Sequence, residues 1–86
     1  MKLEGTLQTE DSEELEFLGT INVLAKGSGE ILRSVGGSDF EPYTDQYGTP
    51  IEISGIYNAD ITNESKYVKF KLRATGELSY VITWGR

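Results

Sequence analysis

Hydrophobic and polar positions alternate with a period of two along most of this chain, most cleanly toward its C-terminal end. Val68, Phe70 and Leu72 fall on one face of an extended segment, and Tyr67, Lys69, Lys71 and Arg73 on the other. Beyond Ala74-Thr75-Gly76 the alternation resumes with Leu78, Tyr80, Ile82 and Trp84. A three-residue loop at Ala74-Thr75-Gly76 predicts a β-hairpin that pairs Leu72 with Leu78, Phe70 with Tyr80 and Val68 with Ile82. Its polar face matches Arg73 with Glu77, Lys71 with Ser79 and Lys69 with Val81. Gly76 then takes the left-handed position that such a loop requires.

The same reading extends upstream. Residues 2–8 alternate as a first strand, and residues 9–14 form a polar, acidic connection. Residues 15–25 predict a long strand with Leu15, Phe17, Ile21 and Val23 on one face and Leu18 and Leu24 on the other. Gly19 marks a bend or bulge within it. Lys26-Gly27-Ser28-Gly29 predicts a tight turn into a strand over 30–35, with Ile31 and Val35 on one side and Leu32 on the other. Residues 36–49 form a long loop, residues 50–57 a strand with Ile51 and Ile53 inward, and residues 58–65 a polar break around Ile61. One helical turn within 11–18 is the most that the capping residues Asp11 and Ser12 support. The expectation is an all-β fold: a small single domain over residues 1–86, an antiparallel meander of about six strands forming a barrel or a two-layer sandwich.

Composition changes this picture mainly by exclusion. The chain has no cysteine and no histidine. Disulfides, thiolate metal sites, nucleophile–histidine triads and histidine switches are therefore absent from the available chemistry. No glycine-rich phosphate loop is present, because Lys26-Gly27-Ser28-Gly29 lacks the required spacing and following helix. The expectation is a non-enzymatic protein without cofactor or metal. No stretch is apolar and long enough for a membrane span, and Met-Lys-Leu-Glu-Gly does not open a signal peptide, which points to a cytoplasmic or virion-associated protein. Asn63-Glu64-Ser65 matches a glycosylation sequon, a pattern that is frequent by chance.

The formal net charge is −6 and is unevenly spread. Residues 1–45 hold ten acids against three basic residues, whereas residues 46–86 hold four acids against five. Overall acidity argues against general nucleic-acid binding, which needs a net basic face. The uneven spread suggests complementary surfaces.

Three places carry candidate binding residues. The long loop offers Phe40, Tyr43 and Tyr47, either as a contact surface or as a cap on the core. Its acids Asp39, Glu41 and Asp45 do not match the spacing of a calcium loop. Glu10, Asp11, Glu13, Glu14 and Glu16 form an acidic run, read either as a solvated turn or as a docking site for a basic surface. Lys69, Lys71 and Arg73 form a basic ladder that can meet the acidic run of a neighbouring subunit and so propagate an assembly. Trp84, at the open end of the expected hairpin, joins that interface.

These features predict a structural or interaction protein whose partner is protein: a second copy, or a larger assembly such as a phage virion. A small acidic inhibitor of a host or bacterial protein is the alternative. A carbohydrate-binding module that stacks sugars on Tyr43, Tyr47 and Trp84 is a third.

Overall fold

The computed structural model describes residues 2–84. Its regular structure is entirely β: β1 (Lys2–Gln8), β2 (Gly19–Val35), β3 (Glu41–Pro42), β4 (Glu52–Asn63) and β5 (Val68–Trp84). All five belong to one antiparallel sheet, in which β5 lies between β1 and β2, and β2 carries β4 and the short β3 on its other edge. The all-β antiparallel fold expected from the alternation is the one observed. The order is not strictly sequential, because β1 and β2 both flank β5 instead of each other.

Two predicted turns are corrected. β2 runs unbroken through Lys26-Gly27-Ser28-Gly29, and β5 runs unbroken through Ala74-Thr75-Gly76. Among the described residues there is no closing hairpin. Phe70 lies opposite Arg33 and Tyr80 opposite Ala25, while Arg73 faces Glu30 and Glu77 faces Gln8. The two stretches of small residues lie side by side: the β2–β5 ladder runs from Ile21↔Trp84 to Gly27↔Leu78 and resumes at Gly29↔Ala74. Thr75, Gly76 and Glu77 therefore stand opposite Ser28 alone, a bulge that bends both strands.

Glycine is required at this bend. A Cβ on Gly27, whose φ is +133°, would collide with the Glu77 carbonyl oxygen. One on Gly29 would lie 2.6 Å from the Arg73 carbonyl oxygen. The irregularity also crosses the neighbouring strands. Gly55 of β4, the partner of Gly27, has φ +91°, and Thr9, just past β1, has φ +50°. The sheet is thus creased along one line from Thr9 to Gly55.

The crease places the inner faces of the two halves in one core. Ile21, Val23, Leu78 and Ile82 from one half cluster with Ile31, Phe70 and Leu72 from the other. All seven are almost fully buried, each worth about 1.5–3 kcal/mol of apolar transfer. Leu32 is also buried but stands on the opposite face, in register with Lys71 on one side and Pro42 on the other.

Two polar residues close the fold around this core. Residues 10–15 continue past β1 along the free edge of β5, where the Ser12 and Leu15 amides donate to the Leu72 and Phe70 carbonyls. The buried Ser12 hydroxyl accepts the Leu72 N–H at 2.9 Å and donates to the Glu13 carbonyl. At the end of β4, the buried Asn63 amide donates to the carbonyls of Phe17 and Ser65 at 2.9 Å each. Asn63 is therefore a structural hub, its amide buried and engaged. Among the described residues no helix is long and apolar enough to cross a membrane.

Candidate functional site, an acid-rimmed apolar cleft

The acidic run and the basic ladder meet inside one chain. Asp11 Oδ1 accepts from Arg73 Nε at 2.9 Å and Oδ2 from the Arg73 terminal nitrogen at 3.3 Å, and Lys71 Nζ stands 2.8 Å from the same Oδ2. Lys69 Nζ lies 3.5 Å from both Glu14 and Glu16, and Arg73 also approaches Glu30 at 4.0 Å. The expected seam between subunits is thus formed within the chain, because residues 10–16 lie along the strand that carries the ladder. The Arg73 and Lys71 hydrogen bonds hold the Asp11 carboxyl down to about 2, below its ordinary 3.8. The carboxylates of Glu16 and Glu14 raise the Lys69 ammonium in turn.

The long loop is ordered by its own short-range bonds, and its aromatics separate. Tyr43 is half-buried, edge-on to Phe70 at 5.4 Å, with the Arg33 guanidinium 5.5 Å from its ring centroid. Phe40 holds the Lys71 ammonium 4.2 Å from its ring centroid. Both rings pack on the body of the protein. Tyr47 is 83% exposed on a turn that the Asp45 carboxylate fastens through the Tyr47 and Thr49 amides. Asp45 is therefore occupied as a turn acceptor, and among the described residues no cluster of acids is arranged to hold a metal ion.

Glu13, Glu14 and Trp84 are brought together elsewhere. They line a cleft of ≈ 340 Å³ with Glu16, between the start of β1 and residues 13–17. Its apolar wall is formed by Leu3, Leu15, Phe17, Ile21 and Ile82. The local chain explains the arrangement. Leu3 and Ile82 are register partners on the inner face, as are Ile21 and Trp84, and the Leu15–Phe70 bridge swings Leu15 and Phe17 over the end of the core. Glu14 and Glu16 alternate with Leu15 and Phe17, so they project at the rim where the apolar residues turn inward, and Glu13 joins them there.

The rim carries more acids than bases. Lys2 also lines the cleft but is paired with Glu4 at 3.3 Å, and Lys69 is shared between Glu14 and Glu16. Glu13 forms no ion pair among the described residues. The Glu10 carboxylate accepts the Gln8 amide at 3.3 Å, while its backbone carbonyl accepts the Ala74 N–H at 2.9 Å. Burial pushes the Tyr80 phenol up, and the charges of Glu13 and Glu10 add to that effect.

Sequence reasoning singled out Glu13, Glu14 and Trp84 but missed Leu3, Leu15, Phe17, Ile21 and Ile82 as cleft walls, reading them only as core. Their inward parity was visible, but the gap between strand ends that leaves Leu3, Phe17 and Trp84 only partly buried, over the buried Leu15, Ile21 and Ile82, was not. No family model, curated protein or solved structure matches the chain.

Proposed function

We propose that this is a non-enzymatic interaction protein that binds a protein partner by taking a basic, partly apolar segment into the acid-rimmed cleft. The observation that carries this reading is the combination of an apolar wall including Trp84 and Phe17 with the carboxylates of Glu13, Glu14 and Glu16. A lysine or arginine side chain fits that combination. Its aliphatic stem lies on the apolar wall while its charged head reaches the rim, where hydrogen bonds to carboxylate are strongest. Trp84 and Phe17 add the attraction of aromatic faces for cations.

The partner class follows from charge. An acidic chain with its basic ladder already neutralised by Asp11, Glu14 and Glu16 has little to offer a nucleic-acid backbone. The same neutralisation takes away the reason to pair the ladder with a neighbouring subunit. An inhibitor or accessory-subunit role, in the cytoplasm or within a virion, accords with a cleft that receives a partner's basic segment.

Trp84 is the only tryptophan in the chain, so its fluorescence reads the cleft directly. Titration with synthetic peptides that place Lys or Arg beside Leu or Phe is expected to shift its emission and saturate. Glu13→Gln should weaken that binding by roughly three- to tenfold, as loss of a charge-assisted contact does. Equal response to acidic and basic peptides, or no response to either, rejects the reading.

A further inference from the structure

A second surface lies on the outer face of the half-sheet formed by β1, β4 and the adjoining halves of β2 and β5. We infer that this face is an interface between two copies of the chain. Successive rows across it are Lys2–Thr83–Asn22–Asp60, Glu4–Val81–Leu24–Asn58 and Thr6–Ser79–Lys26–Ile56. Leu24 is 44% exposed and Ile56 74% exposed, and both line, with Thr6, Ser79 and Val81, a depression of ≈ 510 Å³.

The register of these rows makes the face self-complementary. A two-fold axis in the plane of the face, running between β5 and β2, exchanges β5 with β2 and β1 with β4. Val81 of one copy then faces Leu24 of the other. Each Ile56 projects toward the second copy's Thr6, over the depression floored by short side chains. Each Lys2 faces the second copy's Asp60, and Glu4 comes within side-chain reach of the second copy's Lys26. Both signs of charge and both parts of an apolar knob-and-hollow pair lie on one surface, as an isologous contact requires.

Two further observations favour a second copy over another occupant. Lys2 and Lys26 stand here against Glu4, Asp60 and Glu77, so a chain of net charge −6 can approach itself on this face with little repulsion. The polar side chains are also held in place already. Thr6 bonds Ser79 at 3.3 Å, Thr20 bonds Thr62 at 2.8 Å, and the Asn22 amide donates to Asn58 and Asp60 at 2.9 Å each. A surface ordered before contact loses little side-chain entropy on association. Four strands at ~4.8 Å spacing give a patch below the standard ~800 Å² per partner, so the dimer is a weak one, with Kd on the order of 1–100 µM.

Sedimentation velocity from roughly 1 µM to 0.5 mM, at low salt, tests this. The wild-type chain is expected to pass from monomer to dimer over that range. Ile56→Asp and Leu24→Lys, both at exposed positions, should raise the dissociation constant at least about tenfold while leaving circular dichroism unchanged. Lys2→Glu should weaken the dimer, and adding Asp60→Lys should restore it. Glu13→Gln, in the cleft, should leave it unaltered. A monomer throughout the range overturns the inference, as does a dimer indifferent to Ile56→Asp or a Lys2→Glu defect that Asp60→Lys does not rescue.

Discussion

The two halves of the long β2–β5 ladder, on either side of the crease, share one core but treat their outer faces in opposite ways. Where residues 29–35 lie beside residues 68–74, the outer face is closed. Lys69, Lys71 and Arg73 are tied down by Asp11, Glu14 and Glu16, and Phe40 covers Lys71. Where residues 21–27 lie beside residues 78–84, the face is lined with hydroxyls and amides and leaves Leu24 and Ile56 in solvent. The inner faces of both halves contribute to the core, since Ile31 and Leu72 are as hidden as Val23 and Ile82, although Val35 at the far end of the closed half is 54% exposed. The difference shows that alternation decides which residues enter the core, whereas the path of residues 9–16 decides which outer face is left for other molecules.

The strongest way to break this arrangement is to remove the crease that separates the halves. Gly27→Ala places a side chain against the Glu77 carbonyl at a backbone angle that favours glycine. It is expected to cost about 3–5 kcal/mol in urea unfolding, enough to prevent folding of a domain this small. A loss below about 1 kcal/mol would show that the strands can shift apart there.

Next in size is the attachment of residues 10–15 to the closed half. Ser12→Ala leaves the buried Leu72 N–H without its acceptor and is expected to cost about 1–3 kcal/mol. Amide exchange should accelerate at Leu72 before it does so at Ile82.

The charged seam contributes less. Asp11→Asn should cost about 1 kcal/mol near neutral pH, discounted for the exposure of the group. The lowered pKa gives this effect a direction. Asp11 binds its proton more weakly when folded, so its contribution is complete well above 3.8 and is lost as pH falls toward about 2. The acid limb of a stability profile should therefore be shallower in Asp11→Asn than in the parent chain over that window.

The smallest effect is expected on the open half. Leu24→Ser should change monomer stability by no more than about 0.5 kcal/mol, because the side chain is largely solvated. If it costs as much as Ser12→Ala, the outer faces are not as different as their exposure implies.

Much of the fold was legible because the alternation is strict. Phe70, Leu72, Leu78, Tyr80 and Ile82 are buried as their parity requires. Local alternation cannot distinguish a turn at Ala74-Thr75-Gly76 from a bulge, for a physical reason. A three-residue loop and a three-residue bulge preserve the same parity, and both favour small residues. What decides between them is the Gly27-Ser28-Gly29 stretch brought alongside on β2, which is information that no local window contains. The acidic run and the basic ladder were likewise recognised as complementary, but only the course of residues 10–16 along β5 shows that they satisfy each other within one molecule.

The unbroken passage of β2 and β5 through the crease also governs how the chain reaches this structure. Their nearest pairing, Val35 with Val68, joins residues 33 positions apart, and their farthest, Ile21 with Trp84, joins residues 63 apart. No short hairpin can nucleate that ladder, so a large loop must close before any of its hydrogen bonds forms. Refolding should take milliseconds to seconds, and the two halves should gain protection together, because the strands that would have to fold first are the same ones in both.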